Sequence, residues 1–142
     1  MAMSIRLINR NTDYAVRALC YMAKKEEGLT SVPELVKNLR IPRPFLRKIL
    51  QVLHNKGLLI SQKGAGGGFK LAREPKKISL LEVVKVFQGP IKLSECVLQK
   101  EACPNKKNCF LRRRLGTIEQ FINIQLKPIT IERMVHGNKD VL

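Results

Sequence analysis

Residues 43–72 read RPFLRKILQVLHNKGLLISQKGAGGGFKLA, and this stretch decides the fold. Its first half places Leu46, Ile49, Leu50 and Leu53 at i, i+3, i+4 and i+7, the spacing of one apolar helix face. Pro44 suits the opening turn of such a helix, and Gly57 suits the left-handed residue that stops it. The expectation is a helix from Pro44 to Lys56. Beyond it, Leu58–Ser61 and Phe69–Ala72 are short runs that can pair as strands. The glycines from Gly64 to Gly68 supply the positive φ angles of the turn between them. A basic β-hairpin directly after a helix is the outline of a wing. A phosphate loop would need Gly-Lys followed by Ser or Thr, and a dinucleotide fingerprint would need a helix after the glycines. The stretch offers neither.

Toward the N-terminus, Ser31-Val-Pro-Glu34 has the spacing of a capping box and opens a short helix through about Leu39, which Ile41-Pro42 breaks. Asn11 to Lys25 reads as a first helix, capped by Asn11 or Thr12, with Ala15, Val16, Leu19, Met22 and Ala23 as its buried stripe. Cys20 shares that stripe and reads as a small core residue. Two short helices joined by a tight turn behind a packing helix form a helix-turn-helix. Toward the C-terminus, Ser79-Leu-Leu-Glu82 is a second capping box, and Gly89-Pro90 ends its helix after Phe87. A long helix is expected from Phe110 to Leu126, with Leu111, Leu115, Ile118, Ile122 and Leu126 on one stripe and Pro128 closing it. Nothing obvious in its own chain covers this stripe, so it reads as a dimerisation helix; the other role open to it is covering the winged-helix core. The tail from about Gly137 is expected to fray.

The fold class is therefore mainly α with a small β-hairpin: a winged helix-turn-helix plus a long C-terminal dimerisation helix. The expected organisation is a DNA-binding winged helix-turn-helix over residues 1–90, a cysteine cluster-binding loop over 91–109, and a dimerisation helix with C-terminal segment over 110–136.

Charge identifies the partner. The 142 residues carry 27 Lys and Arg against 11 Asp and Glu, a formal charge of +16. A hydrophobic fraction of 44% suffices for a core and excludes disorder driven by low hydrophobicity. No apolar run approaches the roughly 18 residues of a membrane span, and Met1–Ile8 lacks the apolar core of a secretory signal. Aromatics are 5% and Trp is absent, which argues against stacking platforms for single strands. Between Glu34 and Glu74 there is no acidic residue, yet nine cations occur: Lys37, Arg40, Arg43, Arg47, Lys48, Lys56, Lys63, Lys70 and Arg73. A membrane-surface helix would need apolar groups free to enter lipid, whereas those of this stretch serve the core. Double-stranded DNA is the expected partner. Arg43, Arg47 and Gln51 lie along the leading face of the third helix, where Arg can pair bidentately with guanine. Lys48, Lys56 and the wing residues Lys63, Gly66 and Lys70 are expected to hold phosphates or reach the minor groove. Paired carboxylates, a supported nucleophile and a phosphate loop are all missing, so no enzyme is expected. The expected setting is the cytoplasm, with neither a membrane nor a small-molecule substrate.

Cys96, Cys103 and Cys109 follow one another as C-x6-C-x5-C, flanked by Lys100, Lys106, Lys107 and Arg112 to Arg114. Three close thiols in a reducing compartment suit metal or redox chemistry better than a structural disulfide, and neighbouring cations favour thiolate. The spacing leaves an iron–sulfur cluster, a redox disulfide and zinc open. His54, on the third helix, and His136, in the tail, are not obvious fourth ligands.

Taken in order, Arg6-Leu7, Asp13-Tyr14-Ala15-Val16, Pro44-Phe45-Leu46 with Ile49-Leu50 and Leu53, Gly57-Leu58, the wing from Lys63 to Ala72, and the cysteine triplet form a pattern covering almost the whole chain. It resembles the Rrf2 family of bacterial winged-helix regulators, in particular its iron–sulfur members of the IscR and NsrR types. The resemblance implies a homodimer paired through the long helix, a pseudo-palindromic operator, and transcription regulated by redox state, nitric oxide or iron–sulfur supply. It also implies a ligand set. IscR-type proteins use a histidine three residues after the last cysteine, where this chain has Arg112, which cannot ligate. NsrR-type proteins use an aspartate at the start of the first helix, supplied by the other subunit, and Asp13 matches that position. The implied ligands are thus Cys96, Cys103, Cys109 and Asp13 from the partner subunit, around a 4Fe-4S cluster in preference to 2Fe-2S. The simpler role for Asp13 is a carboxylate stabilised by the helix dipole. The alternative function is a cluster-free regulator, working by thiol–disulfide exchange or stabilised by zinc.

Overall fold

A computed structural model describes residues 6–25, 27–93 and 108–137. The elements run α1 (Arg10–Lys24), α2 (Val32–Leu39), α3 (Arg43–Asn55), β1 (Leu59–Gln62), β2 (Gly68–Leu71), a short 3-10 turn (Pro75–Lys77), α4 (Leu80–Gln88), α5 (Phe110–Leu126) and α6 (Ile131–His136). This is a winged helix-turn-helix with a long additional helix. The core is aliphatic: Leu19 of α1, Leu35 of α2, Leu46, Leu50 and Leu53 of α3, Val83 and Val84 of α4 and Ile131 of α6 are all removed from solvent. Helix α1 lies at its centre, packed by α3, α4 and α6.

Local chemistry explains the boundaries. Helix α1 is capped by Asn9 rather than Asn11 or Thr12, its side-chain oxygen accepting from the Thr12 amide at 2.8 Å. Thr12 is used otherwise: it is fully buried, and its hydroxyl meets Gln88 Oε1 at 2.6 Å. The same Gln88 oxygen accepts from the Asn9 amide at 2.9 Å, and its amide nitrogen donates to the Leu7 carbonyl at 3.0 Å. One side chain at the end of α4 thereby anchors the start of α1.

Both expected capping boxes close only halfway. Ser31 accepts from the Glu34 amide, but the Glu34 carboxylate turns to Tyr21 Oη at 2.9 Å and Lys25 Nζ at 3.0 Å. Ser79 accepts from the Leu81 amide, while Glu82 pairs with Arg73. In each case a tertiary cation outcompetes the local N–H. Helix α2 ends at Arg40, which takes a left-handed conformation (φ 53°, ψ 37°), and Ile41 buries itself in the turn. Helix α3 starts one residue before Pro44 and stops in a Schellman arrangement, with Gly57 at φ 78° and the Leu58 amide donating to the Leu53 carbonyl at 2.9 Å.

The wing is antiparallel, with Leu59 opposite Leu71 and Gln62 opposite Gly68, one residue later on β1 and one earlier on β2 than expected. Thr30 joins its far edge, exchanging two 2.8 Å hydrogen bonds with Phe69. Helix α5 has the expected bounds. Past it the chain turns back: the Leu80 amide donates to the Ile129 carbonyl at 2.8 Å and the Ile131 amide to the Ile78 carbonyl at 2.9 Å. That bridge launches α6, capped by Thr130, which places Ile131 in the core. His136 thus sits on a helix and not in a loose tail; the frayed tail expected beyond Gly137 lies outside the described residues.

Candidate nucleic-acid interface

Burial of Leu46, Ile49, Leu50 and Leu53 turns the opposite side of α3 outward. Arg43, Arg47, Lys48 and Gln51 are all exposed there, whereas Lys56, also exposed, is the C-cap beyond the helix and stands beside Leu81 and Glu82 of α4. Gln51 Nε2 donates to Asn55 Oδ1 at 3.2 Å, a bond along the helix surface that a base edge can replace. Lys63 and Gly66 occupy the wing's turn, and Lys70 projects from β2 opposite the exposed Ile60. Among the described residues none of these cations has a carboxylate within ion-pair distance. Arg73 differs from the rest of the acid-free stretch: its guanidinium grips Glu82 with contacts of 2.6 and 3.2 Å, so it braces the end of the wing against α4.

Phe45 adds an apolar group to the exposed surface of α3. It is the third residue of α3 and 48% exposed, although its neighbour Leu46 is fully buried. An aromatic outside the i, i+3, i+4, i+7 core register was the signal available for it.

Cys96 and Cys103 lie outside the described residues. Cys109 is a free, half-buried thiol at the N-cap position of α5, with no side-chain cap bond. Arg112 follows on the exposed first turn. Asp13 is exposed on the first turn of α1, 4.0 Å from Arg17, whose guanidinium also donates to the Leu39 carbonyl at 2.8 Å. Arg17 thereby connects the Asp13 carboxylate to the end of α2, just ahead of the helix-turn-helix turn. Among the described residues no group of three or more His, Cys, Asp or Glu converges. Cys20 packs against the core, and burial pushes its thiol pKa up, which keeps it protonated. His54 Nδ1 lies 3.1 Å from the Leu59 carbonyl, a satisfied histidine at the α3–β1 junction.

A family profile described as an iron-dependent transcriptional regulator, Rrf2, matches residues 8–137. The chain belongs to the Rrf2 family. It is 38% identical over 133 residues to the HTH-type transcriptional regulator NsrR of Shouchella clausii (strain KSM-K16), covering 92% of this chain and 89% of that one. The structure of CymR, the global cysteine regulator of B. subtilis, superposes with a TM-score of 0.75 at 26% identity, covering 94% of this chain and 98% of that one. T. potens IscR shares the fold, with a TM-score of 0.75 at 24% identity, covering 100% of this chain and 96% of that one. As an Rrf2 protein the chain is a DNA-binding transcriptional regulator and not an enzyme. Among the described residues no helix is long and apolar enough to cross a membrane.

Proposed function

We propose that the chain works as a cytoplasmic homodimer on a pseudo-palindromic operator and reports redox state, nitric oxide or iron–sulfur supply through an iron–sulfur cluster. The observation that carries the DNA half of this reading is the outward face of α3, where Arg43, Arg47, Lys48 and Gln51 stand opposite the buried leucines with no acid among them. Arg43, Arg47 and Gln51 read base edges in the major groove, while Lys48, Lys56 and the wing's Lys63, Gly66 and Lys70 follow the phosphates. Two copies related by a two-fold axis place two such helices in successive major grooves.

For the sensing half, the donor chemistry fits an iron–sulfur group: Cys109 is a free thiol among the described residues, and Asp13 is exposed enough for its carboxylate to reach beyond its own chain. Cys96, Cys103 and Cys109, with Asp13 from the partner subunit, are the residues that would hold it. A bound cluster supplies redox- and nitric-oxide-sensitive iron. Asp13 stands 4.0 Å from Arg17, which holds the carbonyl at the end of α2, so this contact would link the ligand position to the helix-turn-helix. A coupling of about 1–3 kcal/mol between the two sites gives a 5- to 150-fold change in operator affinity.

Anaerobic purification, visible absorption and iron and sulfide analysis test the reading, with DNA binding measured before and after cluster loss. Colourless, iron-free protein after anaerobic reconstitution overturns the cluster, and bound zinc or a reversible disulfide supports the cluster-free alternative. Asp13→Ala is expected to destabilise the cluster without unfolding the protein; unchanged absorption in that variant returns Asp13 to its dipole role.

A further inference from the structure

The exposed face of α3 has two flanks. Arg43, Arg47 and Gln51 recur at i, i+4 and i+8 along one, and Phe45, Lys48 and the half-buried Val52 at i, i+3 and i+7 along the other. Phe45 lies in the first turn, the part of a recognition helix that meets base edges. Its ring is about half in water. The core makes no demand for it, since Leu46, Ile49, Leu50 and Leu53 already fill the inner face. A phenyl ring offers base edges neither donor nor acceptor. What the major groove offers it is the C5-methyl group of thymine, the apolar feature of an otherwise polar surface.

We propose that Phe45 is a specificity-determining residue that reads a thymine methyl in each operator half-site. Lys48, one turn further on the same flank, holds a phosphate while Phe45 covers the methyl, and both groups lose water on binding. On this basis the preferred half-site contains a thymine that no hydrogen-bonding side chain of the opposite flank has to contact. The inference rests on α3 lying in the major groove, and the test separates the two.

The test begins with operators selected from random duplexes by the full-length chain, purified without air. Each thymine of the half-site is then replaced by deoxyuridine, which removes only the methyl. With the wild type, one position should weaken binding about four-fold per half-site, or about fifteen-fold when both half-sites are substituted, the fold-change equivalent to ~0.8 kcal/mol per methyl-sized group. Phe45→Ala should bind the thymine operator more weakly and lose this sensitivity. Phe45→Leu, which keeps an apolar side chain, should retain much of it. Arg47→Ala serves as the control for the position of α3. If Arg47→Ala weakens binding but no thymine methyl matters, or Phe45→Ala keeps the full methyl sensitivity, the proposal for Phe45 fails alone. If Arg47→Ala and Phe45→Ala both leave affinity unchanged, the placement of α3 fails with it.

Discussion

Arg47 and Arg73 are both arginines of the acid-free stretch, and the structure gives them different work. Arg47 is exposed on α3 with no carboxylate near it among the described residues, whereas Arg73 is held by Glu82. Arg47→Ala is expected to cost about 1–3 kcal/mol of operator binding and to relax the preference at one base pair. Arg73→Ala should leave operator affinity within about two-fold and instead lower folding stability by up to about 1 kcal/mol, since the pair is partly exposed. Operator titrations and urea melts on the two variants check this; an Arg73 variant that loses affinity without losing stability would add Arg73 to the phosphate contacts. Glu34 adds a pH dependence. Its hydrogen bond from Lys25 holds the carboxyl below the usual carboxylate range, against the opposing effect of burial. A depressed folded-state pKa stabilises the protein above the unfolded value of about 4.3, and that contribution disappears as pH falls through the folded value. Wild type should therefore exceed Glu34→Gln in stability at pH 6 by less than about 1 kcal/mol, with the difference vanishing in acid. A gap that persists at pH 3 points to packing instead.

At the scale of elements, the wing is fixed at its base as well as by its own ladder. Thr30 pairs with Phe69, and a Cβ on Gly68 would press into the Thr30 carbonyl and approach the Ser31 amide within 3.1 Å. Gly68→Ala is expected to push the wing off the start of α2, costing about 1–3 kcal/mol as backbone must shift, and to weaken DNA binding through Lys63 and Lys70. Chemical denaturation and operator affinity measure both effects, and a variant unchanged in each would show that the wing is not clamped there. This contact joins residues 38 apart in sequence, and no local pattern announces it. The elements that were legible are those whose signal is periodic or steric: the apolar stripe of α3, the Gly57 stop, and the full length of α5. The caps were less legible because Asn9, Asn11 and Thr12 are all competent, and the choice among them is made by Gln88 from α4. Helix α6 escaped because six residues carry too little periodicity, and the bridge from Ile78 and Leu80 to Ile129 and Ile131 starts it. In the candidate site, the cations of α3 were readable from the absence of acids. Pairing of Arg73 and exposure of Phe45 are tertiary outcomes.

The whole molecule leaves one large question to α5. Its Ile122 and Leu126 join the core, while Phe110, Leu111, Ile118, Phe121 and Ile124 remain exposed. Phe110 has Arg114 over its ring at 5.4 Å, but Phe121 is 61% exposed. An apolar face of this kind is ordinarily covered by a partner, and in the proposed homodimer a second copy supplies the same face. Each copy also carries +16, so association works against repulsion that salt relieves. Salt should therefore strengthen the proposed dimer while weakening its hold on DNA, two opposite dependences within one molecule. If Lys48, Lys56, Lys63 and Lys70 are the phosphate contacts, a dimer releases enough counterions for a slope of log affinity against log salt of about −7, and a monomer about −3.6. Phe121→Glu places a carboxylate at the centre of the apolar face. It should halve the mass seen by light scattering, leave the helical circular dichroism intact, and shift the slope from the first value toward the second. A wild type already monomeric at moderate salt, or a Phe121→Glu variant that remains dimeric with the steep slope, would remove α5 from the interface.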